Sequence, residues 1–371
     1  MTLSVRLTHA FAGFALDVAF DAPPGLTALF GRSGSGKTTI VNAVAGLLRP
    51  DHARITTGDR VLTDTATGLH LPPHRRRIGY VFQEARLFPH LTVRQNLAYG
   101  RRFAPPAPVD HLPRITDLLG LHPLLDRRPA ALSGGERARV ALGRAILSNP
   151  HLLLMDEPLA SLDDQRKAEI LPYLERLRDE TRLPILYVSH SAAEVARLAN
   201  TLVLIEAGRV TRAGPAEHLL SDPATALTFG LRDAGAILTL RIAAHDADGL
   251  TRLDGPTGPL WLPRVDGPPG MPLRVRILAQ DVMLALTRPL GVSALNILPA
   301  TVRQVRIGDG PGALVQLALG DALILARITR RSAEALGLTP GMALHAVIKA
   351  VSVAPQDIGD AEHHDSTLHF P

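Results

Sequence analysis

The chain has 371 residues, 46% of them apolar and 20% charged, which is enough for two globular domains and excludes a disordered protein. It contains no cysteine, so disulfides and thiolate metal sites are excluded, and it has no run of about 18 apolar residues, so any membrane role is expected to be peripheral. The net charge of +5 is weak evidence for nucleic-acid binding, and it is equally compatible with contact to acidic lipid or to a partner subunit.

Short apolar runs alternate with longer helical patterns over residues 1 to about 230, which predicts a sheet with crossover helices. Four runs are expected to be buried strands: Leu26–Phe30, Leu152–Met155, Ile185–Val188 and Thr201–Ile205. Helical spacing begins near Lys37 and also covers Arg137–Leu147 and Gln165–Arg178. The sequence therefore predicts an α/β domain over residues 1–232.

A glycine-rich segment connects the first of these strands to the first helix. It reads Gly31-Arg32-Ser33-Gly34-Ser35-Gly36-Lys37-Thr38 and matches GxxxxGK[ST]. The glycines let successive backbone N–H groups face phosphates, and the helix N-terminus adds its dipole to this anion site. Lys37 is expected to reach the β- and γ-phosphates, and the Thr38 hydroxyl to bind Mg²⁺. The loop, together with Thr39, is predicted to bind ATP.

Two acidic residues follow the predicted strand Leu152–Met155. Asp156 is expected to hold Mg²⁺, directly or through water, and Glu157 to act as general base on the attacking water. A strand that ends in a solvated acidic turn is the alternative. The phosphate loop earlier in the chain favours the catalytic interpretation, because such a loop needs a carboxylate on a neighbouring strand.

The segment Leu132-Ser133-Gly134-Gly135-Glu136-Arg137 and the helix after it resemble the signature motif of ATP-binding-cassette (ABC) ATPases. Ser133, Gly134 and Gly135 lie at a helix start, which is a second anion-binding surface. The resemblance implies a P-loop NTPase fold with a helical subdomain. It also implies that this second surface closes on the γ-phosphate held by another copy, so that two copies enclose ATP head to tail.

Three more segments follow in that family's order and resemble its remaining motifs. Gln83 resembles the Q-loop glutamine, which contacts Mg²⁺ and water and responds to the membrane partner. Asp163, in Ala160-Ser161-Leu162-Asp163, resembles the D-loop residue that couples the two sites, and His190 resembles the switch histidine that holds the γ-phosphate. Phe11 and Phe14 are the candidates for stacking on adenine, and either could instead be a core residue.

Residues 85–93, Ala-Arg-Leu-Phe-Pro-His-Leu-Thr-Val, resemble the docking surface of importer ATPases, against which a permease helix packs. The resemblance implies two separate integral-membrane permease subunits, a periplasmic oxyanion-binding protein and a location at the cytoplasmic face of the bacterial inner membrane. The alternative is that some of these side chains belong to the core of the helical subdomain.

From residue 233 onward, helical periodicity fades and short strands are separated by glycine–proline turns such as Asp266–Gly270 and Gly308–Gly312. The expected strands are Leu260–Leu262, Leu273–Ile277, Val302–Val305 and Ala313–Leu319. This predicts a small all-β, OB-like barrel domain over residues 233–354. Residues 355–371 are polar and are expected to form a flexible tail.

Residues 291–354 resemble the Mop/TOBE module of molybdate-handling proteins. The resemblance implies that hydroxyl and ammonium groups collect around a tetrahedral oxyanion, and the matching residues here are Ser293, Thr329, Ser332 and Lys349. Leu295 stands where that family commonly has an arginine, and Ala350 stands at a serine position. Losing a forked donor should weaken anion binding, so the alternative is a structural or regulatory domain without a working anion site.

Taken together, the motifs resemble those of ATPase subunits of molybdate importers, which hydrolyse ATP to drive uptake of molybdate or tungstate. An importer of another cargo, such as sulfate, iron, polyamine or sugar, is the first alternative. A soluble ABC ATPase that acts on nucleic acid or ribosomes is the second, although neither a second cassette nor a long coiled-coil insertion is evident. The third is an oxyanion sensor, against which the intact catalytic motifs argue. We expect no nucleic-acid partner.

Overall fold

The structure, a computed structural model, describes residues 1–100, 111–160, 162–180 and 183–361, excluding the side chain of Leu227. Within these ranges the chain divides into two units. The first comprises residues 1–190 and 198–214, and the second comprises residues 191–197 and those from 215 onward. Across the described ranges we find no helix that is both long and apolar enough to cross a membrane.

The first unit is built on a sheet whose strand order is β6-β5-β4-β1-β2-β11-β10-β3-β9-β8-β7. In the described residues the strands are β1 Leu3–Phe11, β2 Phe14–Ala22, β3 Leu26–Phe30, β4 His52–Thr57, β5 Arg60–Asp64, β6 Leu69–His70, β7 Ile78–Val81, β8 Leu152–Asp156, β9 Ile185–Ser189, β10 Thr201–Glu206 and β11 Arg209–Pro215. Strands β7, β8, β9, β3 and β10 are parallel, while β1, β2, β4, β5 and β6 pair antiparallel. The residues that follow β3, β7, β8 and β9 therefore meet at one edge of the sheet.

The helices of this unit are α1 Lys37–Ala45, α2 Val93–Tyr99, α3 Leu112–Leu118, α4 Gly134–Leu147 and α5 Asp164–Glu180. Helix α6 Ala192–Leu198 falls in the second unit except for its last residue. Helices α2 to α5 pack on one another and form the predicted helical subdomain. Strands β3, β8 and β9 are buried along their whole length, as parallel strands covered on both faces must be. The predicted α/β fold is confirmed, and the antiparallel strands were not predicted.

Arg76, which is fully buried, fixes the end of the helix that follows the phosphate loop. Its Nη1 donates to the carbonyls of Ala43 (3.0 Å) and Val44 (2.9 Å) in the last turn of α1, and its Nε donates to Leu71 O (2.7 Å). Gly46 allows this approach, since a Cβ there would lie 2.4 Å from Arg76 Nε. Arg76 thus supplies a donor to Val44 O and a second donor to Ala43 O, which also accepts from Gly46 N at 3.1 Å.

Arg76→Met is therefore expected to lower the free energy of unfolding by about 3 kcal/mol, because the carbonyls of Val44 and Leu71 lose this donor and Ala43 O loses one of its two. The matched control is the exposed neighbour Arg75, whose replacement by Met should change that free energy by less than about 0.5 kcal/mol. Urea unfolding of both variants measures the difference. Equal destabilisation by the two substitutions would contradict the capping role.

The second unit is all-β apart from short helices, as predicted. Its strands in the described range are β12 Gly235–His245, β13 Leu250–Gly255, β14 Gly258–Pro263, β15 Pro272–Leu278, β16 Val282–Ala285, β17 Asn296–Ile307, β18 Gly312–Leu319, β19 Ala322–Thr329, β20 Ala343–Ile348 and β21 Ile358–Asp360. They form two five-stranded sheets, ordered β14-β13-β12-β15-β21 and β16-β20-β17-β18-β19, that share one hydrophobic core. The helices are α7 Ala216–Leu220, α8 Ala226–Phe229 and α9 Arg330–Ala335.

Two sequence-based boundaries need correction. Helices α7 and α8 lie in the second unit, before the expected boundary at residue 232, because its strands bond them: Gln316 Nε2 donates to Ser221 O at 2.8 Å. Residues 355–361 are not tail, since β21 pairs with β15 and Arg276 donates to the buried Asp357 at 3.2 Å. That ion pair connects the polar segment to β15. The rest of the expected tail, residues 362–371, lies outside the described residues.

Candidate functional site: a cleft at the carboxyl edge of the sheet

The phosphate loop, residues 31–36, turns sharply between β3 and α1. Gly34 and Gly36 have φ angles of 79° and 100°, which favour glycine. Gly31 packs so closely that a Cβ would lie 2.1 Å from Ile205 O. The loop also makes a backbone bond from Ser35 N to Arg32 O of 3.1 Å. The glycine spacing in the motif is thus required by the backbone path.

Lys37 begins α1, and its side chain folds back under this loop. Its Nζ donates to Gly31 O at 2.8 Å and to Arg32 O at 3.0 Å, and the residue is buried. Burial lowers the pKa of Lys37, and the carboxylates of Glu157 and Asp156 partly oppose that effect. The ammonium group is therefore held beneath the loop by acceptors that phosphate oxygens can replace.

Asp156 ends β8 and faces Thr38. The Thr38 hydroxyl donates to Asp156 Oδ1 at 3.2 Å, and the carboxylate is 7% exposed. Burial raises the pKa of Asp156; its bonds to Thr38 and Tyr80 and the charge of Lys37 oppose this, while Glu157 adds to it. A hydroxyl and a desolvated carboxylate that lie this close are hard oxygen ligands of the kind that Mg²⁺ prefers.

Tyr80 and Asn42 complete this corner, and the sequence motifs predict a role for neither of them. The Tyr80 hydroxyl lies 3.1 Å from Asn42 Oδ1 and 3.4 Å from Asp156 Oδ2. Burial raises the pKa of Tyr80 well above its usual range, so the hydroxyl keeps its proton. A polar residue among the buried apolar residues of α1 was the available signal for Asn42.

Glu157 and His190 face each other across the ends of β8 and β9. Glu157 Oε2 lies 3.3 Å from His190 Nδ1, and the two side chains are 21% and 58% exposed. Glu157 has a φ of 47°, an uncommon value for a residue other than glycine, and its N–H donates to Val188 O at 3.1 Å. The strained backbone holds the carboxylate at the cleft while the amide stays paired in the sheet.

Two clefts meet at Thr38, the second residue of α1. One, of about 500 Å³, is lined by Phe11, Phe14, Ser33, Gly34, Gly36, Lys37, Thr38, Thr39, Gln83 and Glu157. The other, of about 630 Å³, is lined by Thr38, Asn42, Leu47, Tyr80, Phe82, Gln83, Glu84, Arg86 and Asp156. Thr38 and Gln83 border both. The structure thus brings together the residues predicted for the phosphates, the cation and the base.

The two candidate adenine-stacking residues both border the smaller cleft and differ in exposure. Phe11 is 43% exposed, whereas Phe14 packs against the core of this unit. Their ring centroids lie 6.4 Å apart. Phe11 is therefore the more accessible of the two rings, while Phe14 belongs in part to the core of this unit.

The predicted signature residues lie elsewhere. Ser133 caps α4 in a reciprocal pair with Glu136, whose N–H donates to Ser133 Oγ at 3.2 Å, while Ser133 N donates to Glu136 Oε2 at 2.7 Å. Asp163 accepts a bond from Arg166 N at 2.9 Å, and Ser161 lies outside the described residues. In the described part of the chain, neither cleft wall includes Ser133, Gly134, Gly135 or Asp163. One copy does not bring them to its own phosphate loop.

The expected docking surface, residues 85–93, is only partly exposed. The buried Asn96 receives a bond from Phe88 N (2.9 Å) and donates to Thr92 O (3.0 Å). Arg144 of α4 donates to Arg86 O at 2.8 Å and lies over the Phe88 ring. Phe88 therefore packs within the helical subdomain, as the alternative interpretation has it, and the exposed residues of this segment are Arg86, Pro89 and His90.

The four candidate oxyanion residues lie at two ends of one sheet in the second unit. Thr329 Oγ1 and Ser332 Oγ are 2.7 Å apart at the end where β19 meets α9. Ser293 precedes β17 and Lys349 follows β20, at the end where Asn296 pairs with Ile348. Strand β17 has 12 residues, so these ends are roughly 35 Å apart. One chain does not bring all four together.

Comparison with known proteins gives two family matches. The sequence profile of the ABC transporter family matches residues 16–160, and that of the TOBE domain matches residues 292–355. Among solved structures, a nucleotide-free ATP-binding cassette from an ABC transporter has a TM-score of 0.52 and 24% identity. The match covers 62% of this chain and 99% of that one. This likeness supports the fold.

Curated relatives match along nearly the whole chain. "Molybdenum import ATP-binding protein ModC" of Mesorhizobium japonicum is 51% identical over 95% of this chain and 96% of its own length. The ModC proteins of Rhodospirillum rubrum and Paramagnetospirillum magneticum are 50% and 48% identical, covering 98% and 97% of this chain and the whole of each relative. The likeness therefore extends across both units.

Proposed function

This chain belongs to the family of ATP-binding subunits of molybdenum-importing ABC transporters, and from that premise we propose that it hydrolyses ATP to drive uptake of molybdate. The observation that carries the proposal is the sequence identity of about 50%, along both units, between this chain and proteins named as molybdenum import ATP-binding proteins. The assembled cleft supports it, since Lys37, Gln83 and Glu157 border one cavity beside Asp156.

ATP occupies the smaller cleft in this proposal. The phosphate-loop amides and the α1 N-terminus bind the β- and γ-phosphates, and Lys37 Nζ exchanges its two carbonyl acceptors for phosphate oxygens. The exposed ring of Phe11 stacks on the base. The cleft volume of about 500 Å³ is in the range of small-molecule sites.

The cation that accompanies ATP fits the oxygen atoms on the other side of Thr38. Mg²⁺ would be held there by three ligands: Thr38 Oγ1, Asp156 Oδ1 and the side chain of Gln83. Bound Mg²⁺ neutralises charge on the β- and γ-phosphates. The carboxylate of Asp156, desolvated and facing Lys37 and Thr38, is suited to that role.

Glu157 is the proposed general base. Its carboxylate borders the cleft that holds the γ-phosphate, so it can accept a proton from the attacking water. His190 Nδ1 lies 3.3 Å from Glu157 Oε2 and orients this carboxylate. Nε2 is the ring nitrogen directed away from this pair, and it donates toward the phosphate when the imidazole carries both protons. The strained φ of Glu157 keeps the carboxylate at the sheet edge.

A second copy completes the site. Ser133, Gly134, Gly135 and Asp163 do not line the clefts of their own chain in the described residues. The N-terminus of α4, which Ser133 and Glu136 cap, carries the positive end of the helix dipole and is suited to bind phosphate. We propose that this surface binds the γ-phosphate of the partner copy. Permease subunits dock at the exposed part of residues 85–93, next to the cleft at Gln83, on the cytoplasmic face of the inner membrane.

The second unit is proposed to modulate transport rather than to bind oxyanion within one chain. Ser293 and Lys349 lie at one end of β17, and Thr329 and Ser332 lie at the other. A site that uses all four residues therefore needs two copies of the chain. Leu295, where the resembled family has an arginine, removes a charged donor from one half of such a site.

The cargo is tested with the purified importer complex in proteoliposomes. Binding protein loaded with molybdate is expected to stimulate ATP hydrolysis about tenfold or more over basal rate, because loaded carrier favours the closed ATPase dimer. Carriers loaded with sulfate, maltose or spermidine serve as controls. Stimulation by one of these and not by the molybdate-loaded carrier would assign another cargo.

A further inference from the structure

Tyr80 lies where three parts of the nucleotide site meet. It is on β7, beside Leu154 of β8, and Asp156 is two residues further along that neighbouring strand. Its ring stacks on Phe82 with centroids 4.0 Å apart, immediately before Gln83. Its hydroxyl reaches Asn42 on α1 and the carboxylate of Asp156. The side chain therefore contacts the helix after the phosphate loop, the acidic strand end and the base of the Q-loop.

The two oxygens of Asp156 have different partners. Oδ1 accepts from the Thr38 hydroxyl at 3.2 Å, and Oδ2 lies 3.4 Å from the Tyr80 hydroxyl. With both oxygens engaged, rotation of the carboxylate about its Cβ–Cγ bond would break a bond on each side. Thr38 and Tyr80 together thus fix which oxygen faces the phosphate loop and which faces the strand β7.

We propose that Tyr80 is a positioning residue: its hydroxyl holds Oδ2 of Asp156 so that Oδ1, on the Thr38 side, is presented to the cation that accompanies ATP. The inference rests on the proposed ATPase function. Groups that hold a metal-binding carboxylate from behind typically change metal affinity when they are removed, without touching the metal themselves.

Asn42 shares the single proton of this hydroxyl. Its Oδ1 lies 3.1 Å from Tyr80 Oη, so the hydroxyl faces two acceptors, one of them a carboxylate. An ionised acceptor forms the stronger bond. If Asn42 Oδ1 is removed, the Tyr80 hydroxyl donates its proton to Asp156 alone. If the Tyr80 hydroxyl is removed, Asp156 Oδ2 loses this donor. The two changes therefore have different effects on the carboxylate, although both break the same contact between β7 and α1.

The experiment titrates the full-length protein with Mn²⁺ in the presence of a non-hydrolysable ATP analogue and follows bound Mn²⁺ by electron paramagnetic resonance. Tyr80→Phe keeps the ring and its stacking, and it is expected to weaken Mn²⁺ binding about tenfold. Affinity for the analogue without divalent cation should stay unchanged. In the assembled importer, the Mg²⁺ concentration for half-maximal hydrolysis should rise by the same factor.

Two variants serve as controls. Tyr173→Phe removes a hydroxyl from α5, outside both clefts, and should leave Mn²⁺ binding unchanged. Asn42→Ala removes the competing acceptor and should not weaken it. Wild-type Mn²⁺ affinity in Tyr80→Phe, or equal weakening in Asn42→Ala, would overturn the positioning role. Failure of the wild-type protein to bind the analogue at all would instead count against the proposed function.

Discussion

Glu157→Gln is expected to lower the rate of ATP hydrolysis at least about 100-fold while ATP binding is retained. The substitution keeps the size and hydrogen-bonding reach of the side chain but removes the group that accepts a proton from water. Neither Lys37 nor Thr38 is altered, so the phosphates keep their ligands. The strained φ of residue 157 is also kept, because glutamine has the same backbone preferences as glutamate.

Steady-state phosphate release and equilibrium binding of a fluorescent ATP analogue measure these two effects on the same preparation. Glu334→Gln is the matched control, since that residue lies in the second unit and lines neither cleft. Retention of more than about a tenth of the wild-type rate by Glu157→Gln would assign the base to another group.

Ser133→Asp is expected to lower hydrolysis about 100-fold without destabilising the fold. Aspartate is as good an N-cap as serine and its charge suits a helix N-terminus, so the cap of α4 and its pairing with Glu136 N are retained. The same charge repels a γ-phosphate that must approach this helix from the partner copy, and losing one such electrostatic contact typically costs two to three orders of magnitude.

Ser133→Asn is the matched control, because asparagine caps equally well and carries no charge. Its hydrolysis should fall by less than about tenfold, and urea unfolding should place both variants within about 0.5 kcal/mol of wild type. ATP binding by the separate chain should be unaffected in both. Equal hydrolysis in the Asp and Asn variants would show that no phosphate approaches this helix.

The sequence was sufficient for the central strands and the residues that follow them. Ile185–Val188 is a continuous apolar run, and Leu26–Phe30 is interrupted only by Thr27, a pattern typical of strands covered on both faces. Asp156 directly follows the run Leu152–Met155, and His190 lies two residues after Val188, so parallel pairing alone places both at the same edge. The antiparallel strand β1 was missed, although Leu3, Val5 and Leu7 alternate with exposed or half-exposed residues.

Other features depended on pairings that the sequence does not specify. The register of β17 decides that Ser293 and Thr329 lie far apart, and no local pattern reveals it. Arg76 stands in a polar segment of the sequence, so nothing there predicts that its side chain is buried and donates to the end of α1. Asp357 looked like part of a tail because its partner, Arg276, is distant in sequence.

The most direct test of the account is the oligomeric state of Glu157→Gln, measured by light scattering with ATP and Mg²⁺ in the presence of the permease subunits. Two copies of the single variant are expected to associate and to retain two ATP molecules. The two double variants, which combine Glu157→Gln with Ser133→Asp or with Lys37→Ala, should remain monomeric. If the single variant does not associate with ATP, or if all three proteins associate equally, the triphosphate is not enclosed between the Lys37 loop and the Ser133 helix of a second copy.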